Sequence, residues 1–154
     1  LRLAGTGDAV GQDDGTGLRS ADRRERLGLP VAEALAARGL NVAVQMELLG
    51  PKICGNREGF VVPRAFVFDV WDIERAEYWP AARRYALCKD LGLEHVPVFE
   101  PVRLRDFPDV ASVLAFAERP SITHRVAEGV VFKSLVRPNV SFKAVSQSFL
   151  LKEK

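Results

Sequence analysis

From Val42 to Leu49 apolar and polar residues alternate, with Val42, Val44, Met46 and Leu48 on one side and Ala43, Gln45, Glu47 and Leu49 on the other. A period of two predicts a strand. Gly50-Pro51 breaks the run, and Lys52 to Gly59 forms a polar, glycine-bounded loop. Phe60-Val61-Val62 and Arg64 to Trp71 read as further strand, and alternation in the latter sets Phe66 and Phe68 on one face with Arg64 and Val70, with Asp69 facing the other way. Helical spacing appears in three places. Pro30 opens a short helix with Val31, Ala34 and Leu35 on one side, ended by Gly39. Pro80 starts a second, with Tyr85, Cys88 and Leu91 in register and Gly92 as its cap. Pro108 starts a third, with Val110, Val113, Leu114 and Ala117 at i, i+3, i+4 and i+7. Between the last two, Val96 to Val102 reads as an edge strand, because Pro97 and Pro101 remove ladder donors.

Two β-rich runs close the chain, Glu128 to Lys133 and Ser141 to Lys152, separated by a turn around Pro138-Asn139. Strands and helices follow one another without regular βαβ alternation. The expected fold class is therefore α+β, with mainly antiparallel sheets and flanking helices. Residues 1–19 differ from the rest: five glycines and three aspartates leave almost no apolar periodicity. Their Gly-Thr-Gly triplets lack the strand, helix and Lys-Ser/Thr of a phosphate loop. They are expected to be a flexible or out-of-context leader, ahead of one domain over 20–154. Ser20 is a candidate N-cap before the charged Asp22 to Arg26.

Composition narrows the class. A net charge of +2 neither requires nor excludes a polyanionic partner. Cys54 and Cys88 have no metal or redox spacing, and His95 and His124 have no ligand-spaced neighbour. Both histidines read as structural or surface residues, and the cysteines as reduced thiols. Without a secretory or membrane-spanning stretch, the expectation is a soluble, cytoplasmic protein with no membrane partner.

The candidate chemistry lies in polar residues set into apolar strands. Lys133 and Lys143 each sit inside a closing strand, and Glu128-Gly129 stands at the mouth of the first. Two strand lysines aimed at one place would suit a phosphate. Singly, each residue also has a structural reading. Glu47 fits the solvent side of a strand, Phe66 and Phe68 fit a core, and the lysines fit an exposed sheet face.

Taken in order, these segments resemble ATP-dependent RNA ligases of the covalent nucleotidyltransferase superfamily. Met46-Glu47-Leu48-Leu49-Gly50-Pro51-Lys52-Ile53-Cys54-Gly55-Asn56 is similar to the family's Glu-Leu-x-Gly-Pro-x-Ile-x-Gly-Asn segment. Phe66-Val67-Phe68-Asp69-Val70 is similar to its aromatic strand. Glu128-Gly129-Val130-Val131-Phe132-Lys133 and Ser141-Phe142-Lys143 are similar to its last two motifs, and the tail is nearest the Deinococcus type. The resemblance covers about residues 24–154. It implies a nucleotidyltransferase (ATP-grasp-like ligase) adenylation domain, with ATP or AMP and Mg2+ or Mn2+ as cofactors and RNA ends or a nicked duplex as partners in RNA repair. It also implies roles. Glu47 would hydrogen-bond the ribose of AMP, and Phe66 or Phe68 would stack on adenine. Glu128 would hold the metal, and Lys133 and Lys143 would contact the phosphates during phosphoryl transfer. By strand parity Glu128 and Lys133 fall on opposite faces, so Glu128 is expected just before the ladder or at a bulge.

Two departures accompany the resemblance. The family's nucleophile is the lysine of a Lys-x-Asp-Gly motif ahead of the Glu47 strand, and no lysine precedes Lys52 here. Asp13-Asp14-Gly15 echoes the motif, but Gln12 cannot form a lysyl phosphoramidate. Gln147-Ser148 stands where the family has Asn and a basic residue. The expectation is a domain incomplete at its N-terminus and inactive in self-adenylation, with the lysine and an OB-type domain on a missing segment. The alternative is a non-catalytic nucleotide- or RNA-binding module derived from a ligase.

Overall fold

The computed structural model describes residues 30–137 and 139–152. The leader over 1–19, Ser20 and the Asp22 to Arg26 segment lie outside the described residues. The chain forms two compact units. The first holds the described residues up to Asn56 together with Phe60–Val96; the second holds Arg57–Gly59 and the described residues from Pro97 onward.

In the first unit a helix, α1, spans 30–36 and buries Val31 and Leu35. Gly39, at φ +64°, turns the chain out of it. The expected strand appears as β1 (Val42–Leu49), antiparallel to β2 (Arg64–Asp72). The other edge of β2 is shared by a short antiparallel β3 (Glu77–Tyr78) and a short parallel β4 (Glu94–His95). Between those two strands runs α2 (Ala81–Leu91), with Gly92 in the left-handed conformation at its C-cap. Val42, Val44, Met46, Val67 and Val70 pack with Val31, Leu35, Trp79, Leu87 and Cys88 into one core. Complete burial of Val44, Val67 and Val70 is worth roughly 1.5–3 kcal/mol per side chain.

Val67 and Val70 are three residues apart, so in a regular strand they would face opposite ways. They share a core because β2 carries a bulge: Gln45 pairs with Asp69 and Met46 with Val67, which leaves Phe68 as the extra residue. The expectation that Arg64, Phe66, Phe68 and Val70 share a face is corrected at Val70, which the bulge delivers to the core side. Buried Asp69 forms an ion pair at 3.5 Å with Arg84, itself buried on α2. Two predicted strands are absent. Phe60-Val61-Val62 is an irregular turn in which Phe60 is buried and Val61 is 89% exposed. Of the strand expected over Val96 to Val102, the Val96 N–H bonds the Val67 carbonyl at 2.9 Å, directly after the paired Glu94–His95, and no strand follows, since Pro97 and Pro101 donate no hydrogen bonds.

In the second unit α3 (Val110–Ala117) starts at Asp109, which with Ser112 forms a reciprocal capping box. It packs on a hairpin of β5 (Gly129–Lys133) and β6 (Ser141–Val145). Ala117, Val130 and Ala144 form its buried centre, extended by Val113, Leu114, Phe116 and Phe132. Val110, placed on the predicted apolar stripe, is 74% exposed. Across the hairpin Phe142 stacks on Phe132 at 4.8 Å. The run expected to continue as strand to Lys152 stops at Val145, and Gln147–Lys152 is a helix, α4. Thus the architecture is mixed α+β with antiparallel sheets, apart from the parallel β2–β4 pair.

Candidate functional site

The closing hairpin assembles three of the candidate residues. Val130 and Phe132 face α3, so Val131 and Lys133 face the other way. On β6, Ala144 faces α3, and Lys143 and Ser141 face away. Lys133 pairs with Ser141 and Val131 with Lys143, which makes the two lysines diagonal neighbours on one face, roughly 7–8 Å apart along the backbone. Glu128 lies just before β5 and its carboxylate forms an ion pair with Lys143. This resolves the parity conflict in the sequence. Gly129, at φ +157°, opens the ladder as the partner of Val145, and its backbone lies so close to β6 that a Cβ would stand 2.2 Å from the Ala144 carbonyl oxygen.

Behind this face is a hydrogen-bond junction that no local pattern announces. The Ser146 N–H donates to the Glu128 carbonyl at 2.9 Å, one rung beyond the Gly129–Val145 pair. The Ser146 hydroxyl donates to Glu118 Oε2 at 2.9 Å, and the N–H groups of Gln147 and Ser148 donate to Glu118 Oε1 at 2.6 and 3.3 Å. Burial pushes the Glu118 carboxyl up, but bonds from Ser148, Ser146 and Gln147 outweigh it and hold the group below the ordinary glutamate range. A second junction anchors the Arg57–Gly59 segment. Glu58 accepts from the Ser121 hydroxyl at 3.1 Å and from the Thr123 N–H and hydroxyl at 2.8 and 2.7 Å. Burial raises its pKa, and these bonds with the nearby His124 bring it below the ordinary value.

The first unit carries the other candidates. Glu47 is exposed and pairs in register with Phe66, on the side of the sheet opposite the core. Phe66 is 4% exposed and its ring stacks on Phe60 at 5.8 Å. The Arg64 guanidinium lies 4.6 Å from the Phe60 ring and 5.0 Å from the Phe66 ring, paired with Glu94. Phe68, at the bulge, is half-exposed. The predicted site residues thus form two sets, Glu47, Phe66 and Phe68 in one unit and Glu128, Lys133 and Lys143 in the other.

Of the two histidines, His95 lies tilted against the Tyr85 ring at 4.4 Å and its Nδ1 bonds the Val96 carbonyl, and His124 is exposed. Cys88 is a free, buried thiol whose pKa burial pushes up. Among the described residues no group of three or more His, Cys, Asp or Glu side chains could hold a metal ion. No helix among them is long and apolar enough to cross a membrane. Arg84, Glu58 and Glu118 were not anticipated from the sequence, because their partners lie on other elements.

The RNA ligase family profile matches residues 11–145, most of the chain. The chain belongs to the RNA ligase family. Solved structures of an RNA ligase from Naegleria gruberi share its fold. A lysine-to-alanine variant with ATP and manganese is 31% identical at a TM-score of 0.76, over 88% of this chain and 42% of that one. A lysine-to-methionine variant with AMP and manganese is 29% identical at 0.76, over 92% and 46%. The same ligase with pyrophosphate is 33% identical at 0.76, over 86% and 40%. This RNA ligase family member therefore spans less than half the length of these solved relatives. No curated protein matches it.

Proposed function

We propose that this chain is part of the adenylyltransferase domain of a Deinococcus-type RNA ligase. Such an enzyme joins a 5′-phosphate to a 3′-hydroxyl through lysyl-AMP and RNA-adenylate intermediates. The observation that carries this reading is the shared face of Lys133 and Lys143, with Glu128 against Lys143. Two ammonium groups there neutralise charge on a phosphoryl group as it moves, which is most of what such transfer asks of a protein.

Glu128 is a single carboxylate, which suits Mg2+ or Mn2+ held partly by substrate phosphate oxygens and water. The metal would supply further charge neutralisation at the transferred phosphate. Glu47, exposed on the non-core face of the sheet, is assigned to the ribose hydroxyls. Of the two aromatic candidates, half-exposed Phe68 is assigned to adenine, since Phe66 is buried against Phe60 and Arg64. The manganese complexes of the Naegleria ligase with ATP and AMP support nucleotide and metal as its ligand classes.

Every lysine of this sequence follows Glu47, so the lysyl-AMP step is assigned to a residue outside it. The same fact favours a second reading, a nucleotide- or RNA-binding module without ligation. Joining of chemically pre-adenylated RNA to a 3′-hydroxyl end, without ATP, separates the two because it bypasses the lysine nucleophile. Metal-dependent joining that is lost in Lys143→Ala supports the ligase reading. AMP binding without joining supports the module, and absence of both overturns each.

A further inference from the structure

We propose that Glu118 is a positioning residue for the Glu128–Lys143 pair, acting through Ser146. The inference rests on the reading of that pair as the metal and phosphate site. Ser146 is fully buried and its backbone and side-chain groups join three segments. Its N–H holds the carbonyl of Glu128, its hydroxyl donates to Glu118, and the same hydroxyl accepts from the Phe149 N–H at 3.1 Å. Glu118 is the C-cap of α3, directly after Ala117, which is completely buried against Val130 and Ala144. One end of α3 is therefore tied to the hairpin twice, by apolar packing beneath the strands and by the carboxylate at their mouth.

The position of that tie matters. Glu128 precedes the first residue of β5, where a hairpin ladder frays most readily, and Ser146 supplies the rung that closes it. Lys143 stands three residues before Ser146 on the same chain segment. Removal of the Glu118 carboxylate leaves the Ser146 hydroxyl and two α4 amides without their acceptor. The Ser146 segment is then no longer fixed where its N–H holds the Glu128 backbone beside Lys143. A carboxylate that merely capped α4 would affect stability and leave ligand affinity alone.

Isothermal titration of the chain with AMP in MnCl2 tests this, alongside thermal melting. Glu118→Ala is expected to weaken AMP binding about tenfold, as loss of an orienting partner does at metal sites, and Glu118→Gln, which keeps an acceptor for the amides, to restore most of it. Ser146→Ala, retaining the N–H rung, is expected to fall between wild type and Glu118→Ala, and stands in if Glu118→Ala does not fold. Val113→Ala, a truncation in the apolar packing of α3 that removes no hydrogen bond of the junction, should lower the melting temperature and leave affinity unchanged. Wild-type affinity in both Glu118→Ala and Ser146→Ala, or equal weakening in Val113→Ala, overturns the positioning role alone. Absence of AMP binding in the wild type, or unchanged binding in Lys143→Ala, overturns the site reading and this inference with it.

Discussion

Lys143 meets the carboxylate of Glu128 across the open end of the β5–β6 hairpin, joining two motifs that lie 15 residues apart in sequence. Both side chains are substantially exposed, at 41% and 55%. An exposed ion pair contributes about 0–1 kcal/mol to stability. Lys143→Ala and Glu128→Ala are therefore expected to melt within a few degrees of wild type while losing the joining of pre-adenylated RNA ends. Thermal melting and a gel-based joining assay check this. Retained joining in either variant would remove that residue from the site.

Phe66 and Phe68 should separate by the property each substitution damages. Phe66 is buried and stacked on Phe60, so Phe66→Ala is expected to cost about 3–5 kcal/mol of folding stability. Phe68 is the half-exposed bulge residue, and Phe68→Ala should instead weaken AMP binding about tenfold, in keeping with about 1–3 kcal/mol for base–aromatic stacking. Urea denaturation and calorimetric titration of both variants give the comparison. Equal AMP affinity in wild type and Phe68→Ala would return the stacking role to Phe66.

Gly129→Ala places a methyl group 2.2 Å from the Ala144 carbonyl oxygen and 2.9 Å from Val145 Cα, at φ +157°. Neither neighbour is a side chain that can swing away. The expected cost is about 2 kcal/mol or more, with the hairpin mouth opening first. Amide exchange at Ser146, the next rung, should accelerate before exchange in β1 and β2. Unchanged protection there would show that the strand shifts without loss.

Glu58 makes the stability of the second unit depend on pH. Its carboxyl titrates below the ordinary glutamate value of 4.5, because hydrogen bonds from Thr123 and Ser121 and the charge of His124 together exceed the opposing effect of burial. A group with a lowered folded pKa contributes stability that is present above its unfolded pKa and is lost as pH falls through the folded one. Unfolding free energy should therefore decrease below about pH 4.5, and Glu58→Gln should show a shallower decrease over the same range. Parallel acid dependence in the two proteins would exclude Glu58 as a source.

Much of this protein was legible as a string. The alternation from Val42 to Leu49, the helices behind Pro30 and Pro80, and the starts of the two strands bearing Lys133 and Lys143 appear within a residue or two of expectation, although the second of those strands ends at Val145 rather than at Lys152. These depend on local periodicity and on proline and glycine, whose backbone restrictions act wherever they occur. The ordered motifs around Glu47, Phe66, Glu128 and Lys143 likewise pointed to the family before any fold was at hand, because residue types and their order survive without coordinates.

Pairing between segments decided the rest. The bulge at Phe68 reverses the parity of β2 and sends Val70 to the core, and it exists only because β1 offers one residue fewer across from it. Glu128 meets Lys143 from just ahead of Gly129, whose backbone packs against the Ala144 carbonyl, and both contacts are made only once β6 is in place. No local pattern in the sequence marks Glu118, Glu58 or Arg84. Each became a structural anchor because its partners, Ser146, Thr123 and Asp69, arrive from distant positions as the chain packs. Local preference acts over a few residues and can be read along the chain; hydrogen bonds and bulges between segments come into being only when those segments meet.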